Sequence, residues 1–281
     1  MTNAEHLRHL GGLLRRYYAP EFREPLSEDL LRLATFNILH GEGASIDELT
    51  AACASLDADV LCLQEVDRGQ ARSGHADQTE AVARAMGAVA WRFAPAILGE
   101  PGAVWRGARD DDRDGDEPGY GIGLASRRPV SRWRVIRLGA APVRSPVYVP
   151  THKRFVLLPD EPRVALVAEI ASSGGPIVVV STHLSFVPGW NLWQLRRLTT
   201  ELCTLGRPCY LLGDLNVPSA GVRIAARPWR RLARVKTFPA PSPKFQIDHA
   251  LSFGDVPPVT LTSALHLPVS DHRALIVELA D

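Results

Sequence analysis

One arrangement occurs twice in this chain, and it narrows the fold more than any other feature. An apolar run ends on a polar residue, a helix follows, and a second apolar run ends on an acid. The first copy is RLATFN, ending on Asn37, then a helix from Ser45, then DVLCLQE, ending on Glu65. The second is IVVVSTH, ending on His183, a helix from about Trp190, then CYLLGD, ending on Asp214. The two ends are 28 residues apart in the first copy and 31 in the second. Packed sheet on sheet, two such units bring all four strand ends to one rim. Strands with helices on one side of each sheet imply a layered α/β sandwich.

The remaining segments fit around these units. Leu7, Leu10, Leu13, Leu14 and Tyr17 fall at helical spacing, so residues 1–29 read as a helical extension packed on a body spanning 30–281. SIDE, with Ser45 and Glu48, is a capping box. Val66 to Ala76 reads as a polar loop, and Asp77 opens a helix to about Met86. Val89 to Ala94 reads as a short strand. Glu100 to Gly119, rich in Gly, Asp and Pro, reads as a solvated loop without periodicity. Tyr120–Ala125 and Val130–Leu138 read as strands joined by an SRRP turn, and Pro142 to Leu158 as irregular. Arg163–Ile170 and Ile177–Thr182 form a hairpin-like pair across SSGG. Short strands are expected at Asp248–Ser252, Val259–Thr262 and Ala274–Leu279.

Composition sets limits. At 281 residues, 46% hydrophobic and 22% charged, the chain has the make-up of a globular protein with a sizeable core. A net charge of +1 gives no strong global field towards a polyanion. The four cysteines form no CxxC pair and read as buried reduced thiols. No apolar run is long enough to span a membrane, and the first residues lack a secretory apolar core. A cytoplasmic monomer is expected.

The polar residues at strand ends are Asn37, Glu65, His183, Asp214, Asn216, Asp248, Asp271 and His272. Hard oxygen ligands dominate this set, which suits Mg²⁺ or Mn²⁺ better than zinc. An acid-rich site with two histidines fits hydrolysis of a phosphate ester, with an oriented water attacking a phosphoryl group whose charge is neutralised. GD also opens dimetal phosphatase motifs, but the chain has no later GNH and too few histidines for that class.

TFN, LQE, STHL, GDLN, IDH and SDH occur in that order, and together they resemble the endonuclease/exonuclease/phosphatase family over about residues 30 to 281. The resemblance implies an α/β fold, a four-layer αββα sandwich of two mixed β-sheets packed face to face with helices outside. It implies a divalent-metal-dependent phosphoesterase. Glu65 would be the principal metal ligand, with Asn37 and Asp271 near it. Asp214 and Asn216 would orient the attacking water and phosphate or hold a second metal. His272, oriented by Asp248, would contact the scissile phosphate, and His183 would stabilise the phosphate or leaving oxygen. His272 and Asp214 both stay open as the base.

The substrate is less constrained. Basic and aromatic residues near the motifs include Arg68, Arg72, His75, His152, Lys153, Arg154, Trp190, Arg227, Trp229, Arg230 and Arg231. Trp190 and Arg154 are the candidates for substrate binding. Nucleic acid stays open, as do a phospholipid or inositol phosphate. A catalytically inactive phosphate-binding module is the competing class. Arg163, opening a strand, could pair with site carboxylates. His249 should face away from Asp248 by strand alternation and reads as structural.

Overall fold

A computed structural model describes residues 30–112, 117–149 and 154–280 of the chain. The expected N-terminal helix lies outside these residues. Both expected strand–helix–strand units are present. β1 (Leu30–Asn37), α1 (Ile46–Ala54) and β2 (Val60–Arg68) make one, with β1 and β2 parallel. The capping box of α1 is complete: the Glu48 N–H donates to Ser45 Oγ, and the Ser45 N–H donates to the Glu48 carboxylate. α2 (Gln78–Met86) is capped by Asp77. It precedes β3 (Ala90–Gly99), β4 (Trp105–Gly107) and β5 (Gly119–Ser126).

Next come β6 (Val130–Gly139), β7 (Arg144–Val149), β8 (Arg154–Pro159) and β9 (Arg163–Ile170). The second unit is β10 (Ile177–His183), α3 (Trp190–Cys203) and β11 (Cys209–Asp214), again with parallel strands. α4 (Ser219–Ala225), β12 (Arg230–Arg231), β13 (Asp248–Phe253), β14 (Val259–Leu265) and β15 (Ala274–Ala280) complete the order.

The strands sort into two mixed sheets and a small pair. One sheet runs β14-β15-β1-β2-β5-β3-β4, the other β12-β13-β11-β10-β9-β6, and β7 pairs with β8 apart from both. Three apolar clusters define the layers. Leu33, Cys62, Leu124, Leu166, Val179, Tyr210, Leu212 and Val277 fill the space between the sheets. Leu49, Val82 and Met86 of α1 and α2 pack on the outer face of the seven-stranded sheet with Phe36, Leu63 and Ile276. Leu195, Leu198 and Val222 of α3 and α4 cover the six-stranded sheet. This is the four-layer αββα sandwich. Each fully buried Leu or Val side chain contributes about 1.5–3 kcal/mol, so the three clusters together are the main source of cohesion.

Three expectations need correction. β2 does not stop at Glu65 but runs to Arg68, because a bulge at Glu65 lets pairing with β5 resume at Val66. The 142–158 stretch is not irregular; it forms β7 and β8, whose alternation is interrupted by Pro146. The 100–119 stretch is not all loop. Trp105–Gly107 pairs with β3, and Arg106 bonds Asp112 and Glu117. The SRRP turn joins two strands as expected, and β5 and β6 lie in different sheets.

Gly213 sets the spacing at the functional end of the six-stranded sheet. Its φ is 155°, and a Cβ there would sit 1.9 Å from the Thr182 carbonyl oxygen on the neighbouring β10. Backbone cannot retreat without opening the β10–β11 ladder. Gly213→Ala is therefore expected to destabilise the protein by roughly 3 kcal/mol, in the range of strained-backbone and overpacking substitutions. Urea unfolding measures this; a loss below about 0.5 kcal/mol would contradict the close approach.

Candidate active site

The parallel pairs β1–β2 and β10–β11 end at one rim, and β13 starts there because it runs antiparallel to β11, with Asp248 opposite Asp214. Asn37, His183 and Asp214 are the last residues of their strands. Glu65 is placed differently. It is the extra residue in the bulge between Gln64 and Val66, with φ at +56°. A non-glycine residue held there costs about 1–2 kcal/mol, and the bulge re-aims its side chain. Asn216, with φ at +50°, follows the same pattern after β11.

Asn37 joins the two sheets. Its Nδ2 donates to Glu65 Oε1 at 2.9 Å and to Asp214 Oδ2 at 3.2 Å, while its Oδ1 accepts from the Leu39 N–H at 3.1 Å. Behind it lies a second polar bridge. Thr35 Oγ1 donates to Gln64 Oε1 at 3.0 Å, and Gln64 Nε2 donates to Ser181 Oγ at 3.4 Å across the sheets.

Asp248 and His272 form a buried pair. Nδ1 of His272 lies 2.9 Å from Asp248 Oδ2 and 3.2 Å from Oδ1. The Thr237 hydroxyl donates to Asp248 Oδ2, so the fully buried carboxylate is satisfied on both sides. The ring of Phe238 covers the imidazole, with centroids 4.8 Å apart. Nε2 of His272 points at Asp214 Oδ2 at 3.7 Å. Burial alone would lower the His272 pKa, but Asp248, then Asp214 and Asp271, overcome it and push it up to about 10. Burial, followed by repulsion from Asp248, raises the Asp214 carboxyl, against the pull of His272, the Asn216 N–H and Asn37.

His183 behaves oppositely. Arg163 Nη1 lies 3.3 Å from Nδ1, and Asn216 Nδ2 lies 3.2 Å from Nε2. Burial, then Arg163 and His272, hold its pKa well below the ordinary value, so the ring stays neutral. Arg163 pairs with Asp160 and Glu161 at 3.7 and 3.9 Å and contacts His183, rather than the central carboxylates.

The rim therefore brings together Asn37, Glu65, His183, Asp214, Asn216, Asp248 and His272. Asp271, next to His272, is the exposed member: its charge acts on His272, and its carbonyl accepts from the Ala240 N–H. Trp190 opens α3 and stacks on Trp193 at 4.5 Å, away from any hydrogen bond through its Nε1. Arg154 opens β8, and its side chain lies outside the described set. His249 donates to or accepts at no catalytic group; its Nε2 bonds the Val217 carbonyl at 2.9 Å. Sequence reasoning missed Thr237 and Phe238, which lie in an irregular stretch with no motif to mark them.

Ligand atoms of Asp214, Asp248 and His272 lie within 4.8 Å of one another. Both oxygens of Asp248 are already engaged by His272 and Thr237, so this group is built as a proton and charge network. The donors better suited to a hard cation are on the Glu65 side. Glu65 is half-buried and accepts one bond from Asn37, which leaves its carboxylate further acceptor capacity. No helix among the described residues is long and apolar enough to cross a membrane.

Comparison with known proteins agrees with this architecture. A search of curated proteins gave no match. Among solved structures, an endonuclease/exonuclease/phosphatase from Beutenbergia cavernae DSM 12333 is 22% identical, with a TM-score of 0.64 over 90% of this chain and 72% of its own. A mannosyl-6-phosphatase from Bacteroides thetaiotaomicron VPI-5482 is 17% identical, with a TM-score of 0.61 over 89% of this chain and 100% of its own. A humanized D. rerio TDP2 is 15% identical, with a TM-score of 0.59 over 90% of this chain and 99% of its own. Residues 34–272 match the Endonuclease/Exonuclease/phosphatase family, and they contain every residue of the rim described above. The chain belongs to the Endonuclease/Exonuclease/phosphatase family, whose members hydrolyse phosphate esters.

Proposed function

We propose that this chain is a divalent-metal-dependent phosphoesterase that cleaves a phosphodiester or phosphomonoester by in-line attack of water. The observation that carries the reading is the buried Asp248–His272 pair aimed at Asp214, with Asn37 linking Asp214 to Glu65. A buried carboxylate such as Asp248 needs a partner of opposite charge, so His272 is held as the imidazolium and faces the phosphoryl oxygens. Asp214 then serves as the group that orients the attacking water and takes its proton, with the Asn216 N–H fixing its other oxygen at 2.9 Å. His183, neutral, hydrogen-bonds the phosphate or the leaving oxygen. Glu65 is the principal ligand for Mg²⁺ or Mn²⁺, with Asn37 beside it and the solvent-exposed Asp271 as the weakest member. The cation supplies charge neutralisation at the phosphoryl group.

Bis-p-nitrophenyl phosphate tests the reaction class. Hydrolysis is expected with Mg²⁺ or Mn²⁺, to be abolished by EDTA, and to fall by at least about a hundredfold in Asp214→Asn. A folded wild-type protein inactive on this ester and on p-nitrophenyl phosphate would favour the inactive phosphate-binding module.

Glu65→Gln is expected to abolish turnover and weaken Mg²⁺ binding while the thermal midpoint stays unchanged. Calorimetric titration with unchanged Mg²⁺ affinity in that variant would remove Glu65 from the ligand set.

Asp248 acts through His272, so their losses should not multiply. Asp248→Asn should lower kcat/KM by roughly two to four orders of magnitude, as for an orienting acid in a triad. His272→Ala should cost at least as much, and the double variant little more. Multiplicative losses at saturating metal would separate the two residues.

A further inference from the structure

The stretch between the rim residues Asp214 and Asp248 has a charge composition unlike the rest of the chain. Residues 215–247 contain no aspartate or glutamate and seven basic residues: Arg223, Arg227, Arg230, Arg231, Arg234, Lys236 and Lys244. The whole chain has 32 basic and 31 acidic residues, so this bias is local.

The fold turns the bias into a line. β12 is an edge strand, and Arg230 and Arg231 pair with Ser252 and Leu251 at the end of β13 far from the rim. The chain then follows β13 back. The Leu232 N–H donates to the Ala250 carbonyl, Gln246 Nε2 donates to the Ala233 carbonyl, and Thr237 reaches Asp248. Leu232, Ala233 and Val235 turn inward onto the inter-sheet core, while Arg230, Arg234 and Lys236 are exposed. The segment from Arg230 to Thr237 runs alongside β13 from Ser252 to Asp248, four strand steps or about 13 Å. Lys236 thus ends the line one residue from Thr237, beside the His272 pair. Among the described residues, none of these three cations has an ion-pair partner.

We infer that this edge is a nucleic-acid track: Arg230, Arg234 and Lys236 hold successive phosphates of a strand whose scissile phosphate lies at His272. The inference rests on the phosphoesterase reading and names its substrate class. A line of about 13 Å carrying three cations exceeds what one sugar phosphate can occupy and matches a short run of nucleotide backbone. A lipid surface is the weaker fit, because the apolar residues between the cations face the core and leave none to insert. Arg231, partly buried beside Arg234 and Arg223, adds to the local field rather than quenching it.

The test is binding, without metal, of a fluorescein-labelled 20-nucleotide single strand, followed by anisotropy across a salt series. Arg230→Glu/Arg234→Glu is compared with Arg84→Glu/Arg132→Glu, which changes net charge equally. Arg84 lies on α2 and Arg132 on β6, the opposite edge of the six-stranded sheet. The track variant is expected to bind at least about tenfold more weakly, with the slope of log K against log salt reduced by about 1.4, for two phosphate contacts on a single strand. The control should lose about twofold at most. Arg230→Gln/Arg234→Gln, the milder change, should show the same slope reduction if the reversal variant proves unstable.

Equal losses in the two double variants would overturn the track. So would an unchanged slope in the track variant, or wild-type binding to phosphatidylserine vesicles without binding to the strand. Turnover of bis-p-nitrophenyl phosphate by the wild type separates the two claims. Track-dependent binding without any turnover would sink the phosphoesterase reading and leave the track standing. Turnover without strand binding would do the reverse.

Discussion

A single amide ties the two halves of the molecule at the point where their chemistry meets. Asn37 sits on the seven-stranded sheet, Asp214 on the six-stranded sheet, and 177 residues separate them in sequence. The apolar core holds the sheets face to face through close packing. A directional bond from one Nδ2 group to carboxylates on both sheets adds registry at the site itself. The Thr35–Gln64–Ser181 bridge behind it serves the same end, since each buried polar group would cost about 1–3 kcal/mol if the sheets shifted and left it unpaired. Registry between the sheets is thus fixed where error would be most costly to function.

The electrostatics follow from that registry. Two carboxylates, Asp214 and Asp248, face each other as β11 and β13 partners, and neither is open to water. Repulsion between them is relieved by His272 lying against both. The two site histidines end in opposite states for local reasons: His272 is surrounded by acids that outweigh its burial, and His183 is buried and backed by Arg163. Identical side chains a few ångströms apart are thereby given different tasks by their neighbours.

Much of this was legible in the sequence. Strand ends such as Asn37 and Asp214 announce themselves because an apolar run stops on a polar residue, and the α1 cap was visible as SIDE. Paired strands of the core were found where hydrophobicity was continuous, as in Ile177–Thr182. The misses share a cause. β7, β8 and β4 are short, pair outside the main core or at its edge, and carry charged residues or proline, so no period marks them. SRRP is legible as a turn between two strands, but local sequence cannot report that the chain is changing sheets there. Thr237 and Phe238 support the catalytic pair through contacts made only in three dimensions. Asp271, grouped with the metal ligands on its SDH motif, is exposed beside His272, since a motif fixes neighbours in sequence and not the burial of a side chain.

The bulge at Glu65 has a consequence for how this strand tolerates change. Inside a regular strand, adding or removing one residue exchanges the two faces for everything downstream. β2 already contains one such offset, absorbed at a residue with left-handed backbone. Upstream of it, Leu61 and Leu63 face the helices, and downstream Val66 does so again three residues later rather than two or four. Length variation in β2 is therefore confined to this one position. A single-residue deletion there restores a regular ladder and retains the hydrophobic strand, yet removes the geometry that lifts a carboxylate out of the sheet. The fold would survive such a loss in outline, and the rim would be left with one acid fewer.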